Sequence, residues 1–468
     1  MERYYLAIDI GASSGRHMLG HIEDGKMILE EIWRFENGMK DREGSLCWDL
    51  DALFEEIKTG MKRCKELGKI PVSMGIDTWA VDYVLLDEKD QVLGKTYGYR
   101  DGRTQGVDED VYKIISEEEL YSRTGIQKQS FNTIYQLMAV KKNNPEHLKA
   151  AKTFLMLPDY FHFLLTGQKC SEYTNATSTQ LINAQTNDWD RELIERLGYP
   201  QEMFLPLSQP GTLVGSFTKE IEEEVGFSCE VVLPATHDTG SAVMAVPGEG
   251  DKNLYISSGT WSLMGIENKT AICTEESRKR NFTNEGGYEY RYRYLKNIMG
   301  LWMIQSVRKE LENKYSFAEL CAMASRRSDF PSRVDVNDPV FLAPDSMIRA
   351  IREMCAKTGQ PVPETPDELA AVVYESLSDS YRETAEEIEG LTGSHYNTIC
   401  IVGGGSNAEY LNRLTAKKSG RRVLAGPGEA TAIGNLMAQM IQKGEFDTLE
   451  QARRCVGTSF SIHEYMPE

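Results

Sequence analysis

No cysteine pair in this chain is spaced C-x-x-C, no block is rich in lysine or arginine, and no apolar run approaches the roughly 18 residues a membrane span requires. Each absence excludes a class. The nine cysteines are scattered and odd in number, so neither a zinc site nor a disulfide framework is indicated, and several sit in apolar stretches where a thiol packs as a small hydrophobe. The formal net charge is -19, from 71 acidic against 52 basic residues. A field of that sign repels phosphate backbones and anionic lipid, which removes nucleic acid and membrane surfaces as partners. Met1-Glu2-Arg3-Tyr4 runs straight into a strand pattern without the basic and apolar regions of a signal peptide, so a reduced, cytoplasmic protein is expected. There is also no P-loop and no HExxH.

What is present is ordinary globular composition, 41% hydrophobic and 26% charged, on a chain of 468 residues. That length exceeds one compact core and predicts two domains or a duplicated pair. The pivotal stretch is Val231-Val232-Leu233-Pro234-Ala235-Thr236-His237-Asp238-Thr239-Gly240-Ser241-Ala242. A β-branched run reads as a buried strand, proline stops it, and small polar residues turn the chain into a short helix ending near Val246. Asp238 has two open readings: an N-cap bonding its own backbone amides, or a carboxylate presented at the mouth of a cleft.

Around this stretch the chain alternates strand and helix, which predicts α/β layers. Residues 4–10 read as a strand ending in Asp9-Ile10-Gly11-Ala12-Ser13-Ser14-Gly15-Arg16, and residues 17–22 resume a strand. The turn is either a plain hairpin or a concavity of backbone N–H groups suited to an anion. A carboxylate beside a phosphate is repulsive unless a divalent cation lies between them, so Asp9 suggests Mg-nucleotide. Residues 49–68 have helical spacing, and residues 71–86 read as strand material enclosing Asp77, Trp79, Ala80 and Asp82. Residues 101–167 read as mostly helix, and residues 174–185, rich in Ser, Thr and Asn, as a loop over or beside the cleft.

Residues 247–252 have the composition of a connector, and beyond them the opening pattern returns. Residues 254–266 repeat strand, small-residue turn and strand around Ser258-Gly259-Thr260-Trp261, about 250 residues after the first copy. Residues 289–295 read as a strand, and residues 297–305 as the start of a helix running toward Glu312. Residues 367–391 form an amphipathic helix through Leu369, Val372, Val373, Leu377, Tyr381, Ile388 and Leu391. Thr398-Ile399-Cys400-Ile401-Val402 leads into Gly403-Gly404-Gly405, with a capping box expected at Ser406-Asn407-Ala408-Glu409. A final helix is expected from Gly426-Pro427-Gly428-Glu429-Ala430, with Ile433, Leu436, Met437, Met440 and Ile441 on its apolar side.

Taken together, Asp9-to-Arg16, Thr236-to-Ala242, Ser258-to-Trp261 and Gly403-to-Leu411 make the chain resemble the FGGY carbohydrate kinases over nearly its whole length. Within that family, the opening turn and the runs Ile76-to-Tyr83, His237-Asp238-Thr239 and Asn297-to-Trp302 resemble the branch that phosphorylates L-rhamnulose. The resemblance implies two ribonuclease-H-like domains of the actin-like ATPase superfamily with a cleft between them, residues 1–246 holding the sugar and residues 247–468 mainly ATP. It implies Asp238 as the base that takes the sugar hydroxyl proton. Ala80, His237, Thr239 and Asn297 would contact the sugar. Ala12, Ser13, Ser14, Gly15, Arg16, Thr260, Gln305 and Gly404 would contact ATP, and Asp9 would orient Mg2+. Ala80 departs from the glycine of some members and adds a methyl group to the sugar pocket.

The implied reaction is transfer from ATP to the 1-hydroxyl of L-rhamnulose in L-rhamnose breakdown, by a monomer or small homo-oligomer whose domains close about residues 247–252. Alternatives are a kinase for L-fuculose, D-xylulose or glycerol, a non-catalytic actin-like ATP-binding protein, or a sugar-sensing regulator, the last lacking any recognisable DNA-binding element.

Overall fold

The structure is a computed structural model that describes residues 2–248 and 252–467. Chain contacts divide it into two compact units, neither continuous in sequence: Met1–Ala245 with Asn268–Tyr294 and Thr431–Ser459, and Val246–Glu267 with Leu295–Ala430 and Phe460–Glu468. Residues 249–251 of the expected connector lie outside the described residues. No helix among the described residues is long and apolar enough to cross a membrane.

The first unit is organised on a six-stranded sheet. Strands β1 (Tyr4–Ile10), β2 (Ser14–Glu23), β3 (Lys26–Glu36), β4 (Pro71–Thr78), β5 (Leu213–Ser216) and β6 (Glu230–Val232) lie in the order β5-β6-β4-β1-β2-β3. β1 pairs antiparallel with β2 and parallel with β4, and β4 is parallel to β6. Sheet and helices share a core including Leu6, Ile8, Leu19, Ile57, Met61, Ile76 and Phe161. The helix Leu50–Glu66 begins where Asp49 accepts from the Ala52 N–H, and it buries Leu53, Ile57 and Met61 at helical spacing. A second core in this unit gathers Tyr83, Leu120, Ile134, Phe154, Trp189 and Phe204.

The second unit repeats the arrangement. Strands β7 (Leu254–Ser258), β8 (Ser262–Asn268), β9 (Thr398–Val402), β10 (Arg422–Ala425) and β11 (His463–Tyr465) run in the order β8-β7-β9-β10-β11. β7 pairs antiparallel with β8 and parallel with β9, as β1 does with β2 and β4. The helix Pro366–Thr392 starts in a capping box between Thr365 and Glu368 and ends at Gly393 with φ 66. It buries six of the seven predicted apolar positions and leaves Leu391 half-buried.

Several expectations are corrected. Residues 71–86 are two strands, β4 and Tyr83–Leu86, because Val81 turns the chain at φ 67. Residues 101–167 also include the strand Thr153–Met156. The polar run 174–185, expected as a loop over or beside the cleft, instead begins within the helix Tyr173–Thr177, and residues 174–182 are buried. The strand expected over 289–295 is displaced to Tyr292–Ile298 by a turn of 3-10 helix in which Glu289 and Tyr290 take positive φ, so Asn297 is a strand residue and the following helix is Trp302–Glu310. The capping box at Ser406 does not form, because the Ser406 hydroxyl donates to Gly403 O (2.7 Å) and Ala408 becomes the cap of Glu409–Ser419. Ala430–Gln442 is not the last helix, since Leu449–Ser459 follows.

Candidate active site

Asp238 is the first residue of the helix Asp238–Met244, and the cap position before it belongs to His237. The turn that carries the pair is held on several sides. Pro234 ends β6, and Thr236 then donates through its N–H (3.1 Å) and hydroxyl (2.6 Å) to one oxygen of buried Glu172. The same carboxylate accepts from the N–H (2.8 Å) and hydroxyl (2.6 Å) of Thr174 and from the Asn175 N–H (3.0 Å). Burial raises the Glu172 pKa, while the Thr174 and Thr236 hydroxyls oppose the rise. This network accounts for the burial of residues 174–182, because their polar groups are satisfied inside. Beyond the turn, the Thr78 N–H donates to Thr236 O (2.9 Å), and Gly434 lies so close to Ser241 that a Cβ there would fall 1.8 Å from its carbonyl oxygen.

The Asp238 Oδ1 accepts from the Thr239 N–H (2.6 Å) and hydroxyl (3.2 Å), yet the side chain keeps 31% of its surface open. The N-cap reading of Asp238 is therefore corrected: His237 holds the cap position, Asp238 bonds only the adjacent Thr239, and its carboxyl still reaches the exterior. Its pKa is pushed up to about 7, first by burial and then by the charge of Asp9.

Asp9 and Asp77 are register neighbours on β1 and β4, and both are buried. Arg16 donates through Nε to Asp9 Oδ2 (3.0 Å), and Asn435 donates to Asp77 Oδ2 (2.6 Å), leaving Asp77 Oδ1 buried without a hydrogen-bond partner among the described residues. Burial raises Asp9, with Arg16 opposing, and burial together with Asp9 raises Asp77 well above the usual carboxyl range. Asn435 is fixed in turn by Gln439, which donates to Asn435 Oδ1 (2.7 Å) and Leu6 O (3.0 Å) and accepts from the Ser73 hydroxyl (2.8 Å).

Of the residues predicted to meet ATP in this unit, Ala12 and Ser13 lie in the β1–β2 turn, closed by the Gly11 N–H to Ser14 O (2.9 Å), whereas Ser14, Gly15 and Arg16 already belong to β2. Gly15 is required by the Phe35 ring, which lies 2.1 Å from where a Cβ would be. Ala80 sits half-buried on a fixed loop: Asp82 accepts from the indole N–H groups of Trp48 (2.6 Å) and Trp79 (2.9 Å), the Tyr99 N–H (3.0 Å) and the Gln136 amide (3.0 Å). Burial pushes Asp82 up to about 6 against those donors.

His237 is buried, with its Nε2 3.5 Å from Asp238 Oδ1 and its Nδ1 3.0 Å from the Arg293 Nη2. Arg293 is held between Gly286 O (3.0 Å, from Nε) and the Glu285 carboxylate (3.0 Å, to Nη1).

In the second unit, Thr260 lies in the β7–β8 turn, closed by the Gly259 N–H to Trp261 O (2.8 Å), and its hydroxyl is 3.4 Å from Gln305 Oε1. The N–H groups of Leu301 (3.1 Å) and Trp302 (3.0 Å) donate to Gly259 O and Thr260 O, which seats the helix of Gln305 on that turn. In the glycine run, a Cβ at Gly403 would meet Ser258 O at 2.9 Å and one at Gly405 would meet the Ser258 hydroxyl at 1.9 Å, while one at Gly404 meets nothing within 4 Å. Two glycines serve backbone packing, and the third faces open space. Asn297 lies half-buried in the part of the strand Tyr292–Ile298 that belongs to this unit.

Sequence reasoning missed Glu172, Arg293, Asn435 and Gln439. The available signal was Asn435 and Gln439 one helical turn apart within the apolar run 430–441.

Comparisons with known proteins identify the family and the fold. Residues 4–245 match the N-terminal domain, and residues 254–442 the C-terminal domain, of the FGGY family of carbohydrate kinases. A rhamnulokinase of Halalkalibacterium halodurans is 54% identical over 463 residues, covering 99% of this chain and 98% of that one. A rhamnulokinase of Bacillus subtilis is 43% identical over 465 residues, covering 99% and 95%. Among solved structures, gluconate kinase from Lactobacillus acidophilus superposes with a TM-score of 0.80 at 16% identity, covering 100% of this chain and 94% of that one. Plasmodium falciparum glycerol kinase with ADP superposes at 0.78 and 12% identity, covering 100% and 95%. These likenesses show the two-domain actin-like, ribonuclease-H-like fold. With both family domains matched in order along nearly all of its length, the chain belongs to the FGGY family of carbohydrate kinases.

Proposed function

We propose that this kinase transfers the γ-phosphoryl group of ATP to the 1-hydroxyl of L-rhamnulose, giving L-rhamnulose 1-phosphate and ADP in L-rhamnose breakdown. The observation that carries the reading is the near full-length identity to relatives named rhamnulokinase. Phosphoryl transfer through a loose transition state asks the protein to position the acceptor and accept its proton late, and Asp238 suits that role. A carboxylate with its pKa near 7 is a stronger base than an ordinary aspartate and still ionises at physiological pH.

His237, Thr239, Ala80 and Asn297 are assigned to the sugar. Ala12 to Arg16, Thr260, Gln305 and Gly404 are assigned to ATP, and the open face at Gly404 leaves room for a flat base or ribose. Arg16 is engaged with Asp9 and is assigned to the phosphate side of ATP.

Magnesium in nucleotide sites takes one or two carboxylates and completes its shell with phosphates and water. Asp9 beside Asp77, whose buried Oδ1 lacks a donor, fits that demand, although no group of three or more His, Cys, Asp or Glu among the described residues forms a closed metal site. When bound, the ion would neutralise phosphate charge.

ADP release with Mg-ATP across L-rhamnulose, L-fuculose, D-xylulose, L-ribulose and glycerol tests the assignment. Preference for L-rhamnulose with phosphate on its 1-hydroxyl is expected. Preference for another acceptor overturns the substrate, and turnover of none overturns the enzyme reading.

A further inference from the structure

Buried Arg293 and His237 and partly buried Glu285 form a charged group beside the candidate base Asp238. Arg293 is 1% exposed, and its guanidinium has donors only. Its Nη2 stands 3.0 Å from His237 Nδ1 in hydrogen-bonding geometry, so Nδ1 must supply a lone pair. A neutral imidazole with an accepting Nδ1 carries its proton on Nε2. That nitrogen lies 3.5 Å from Asp238 Oδ1, on the ring edge nearest the candidate base.

One neighbour opposes this arrangement. Glu285 Oε2 is 3.4 Å from His237 Nδ1 and by itself would favour a proton there. Arg293 decides the competition by standing 3.0 Å from that same carboxylate oxygen and 3.0 Å from the ring nitrogen. The charged groups facing the imidazole are Arg293, Glu285 and Asp238. Burial and then Arg293 hold the ring well below its usual pKa, in agreement with a neutral ring.

We infer that Arg293 is a positioning residue that holds His237 as the neutral Nε2–H tautomer, so that this N–H is presented beside Asp238 to the sugar. The inference deepens the proposed function and rests on its placement of the sugar against His237 and Asp238. Arg293 need not touch the sugar. It selects which ring nitrogen donates, and without it Glu285 draws the proton to Nδ1 and leaves a lone pair where a donor is required.

The test is nitrogen NMR of the full protein with 15N-labelled histidine, the seven histidines being resolved by comparison with His237→Asn. The wild type should show His237 protonated on Nε2 only, unchanged from about pH 5.5 to 8. Arg293→Met should move the proton to Nδ1 and raise the KM for L-rhamnulose about tenfold, the loss of one hydrogen bond, with a smaller change in kcat. Arg293→Lys, which keeps a cationic donor, should restore both tautomer and KM. Glu285→Gln, which keeps Arg293, should leave the tautomer as in wild type.

A wild-type ring protonated on Nδ1 overturns the inference without any variant, so it stays testable if Arg293→Met does not fold. An unchanged tautomer or an unchanged KM in Arg293→Met also overturns it. Should the wild type fail to turn over L-rhamnulose, the substrate reading falls, and the wild-type spectrum still decides the role of Arg293.

Discussion

Strands β1 and β7 each return through a hairpin, and each lie parallel to the strand on the side away from the hairpin partner, yet their C-terminal ends differ in charge. β1 carries Asp9 opposite Asp77, whereas β7 carries Ser257 opposite Val402. After β4 the chain continues into Trp79, Ala80 and Val81, and after β9 into three glycines. The same backbone plan thus yields one end rich in buried carboxylates and one end neutral and glycine-lined. On the proposed reading the first suits proton and cation chemistry, while the second accepts a polyanionic nucleotide without charge repulsion.

The largest effect expected from breaking this difference comes at Asp238. Asp238→Asn should lower kcat by on the order of a thousandfold, the scale of a lost general base, while sugar binding measured by calorimetry changes little. The wild-type pH profile should sharpen the assignment: the base works only when ionised, so activity should fall as pH drops through about 7. Stability should move the other way. A carboxyl whose folded pKa is raised costs stability above its unfolded pKa of 3.8, and the cost grows as pH rises toward 7. Asp238→Asn should therefore melt higher than wild type at pH 8, and the gap should close near pH 4. Equal melting temperatures at pH 8 would contradict the strained carboxylate.

The next contrast exchanges the two hairpins. Asp9→Ser gives the first turn the character of the second and should lower turnover on the order of a hundredfold, with a raised magnesium requirement, because a carboxylate of the cation end is lost. Ser257→Asp places a carboxylate next to Val402 without the arginine that Asp9 has, and should raise the KM for ATP more than that for sugar. A larger effect on the sugar KM in Ser257→Asp would undo the division of labour between the hairpins.

Much of this contrast was legible in the residues, and the illegible part has one cause. Both hairpins, the helix Pro366–Thr392 and the turn at Asp238 are local patterns of period, proline and small residues, and they appear where the pattern puts them. Buried polar partners do not announce themselves in that way. Glu172 meets Thr236 across 64 positions, and Arg293 meets His237 across 56. Residues 174–185 therefore read as a loop over or beside the cleft, although Glu172 and its hydroxyl donors bury residues 174–182. The expected capping box at Ser406 failed for a related reason: three preceding glycines let the backbone fold back, and the hydroxyl found Gly403 O before any helix N–H.

The smallest effect lies within the glycine run of the second unit, where packing and binding are carried by adjacent residues. Gly405→Ala sets a methyl 1.9 Å from the Ser258 hydroxyl, and Gly403→Ala sets one 2.9 Å from Ser258 O at a backbone φ of 83. Each should cost about 1–3 kcal/mol of stability, read from denaturant midpoints, with Gly403→Ala carrying the added strain of a left-handed residue. Gly404→Ala meets no protein atom within 4 Å, so its midpoint should match the wild type. If the open face at Gly404 receives the nucleotide, that methyl should raise the KM for ATP a few-fold, about the cost of a small steric misfit, and leave the sugar KM alone. A stable Gly404→Ala protein with an unchanged KM for ATP would remove Gly404 from the nucleotide site and leave the run a purely structural turn that lets β7 and β9 approach.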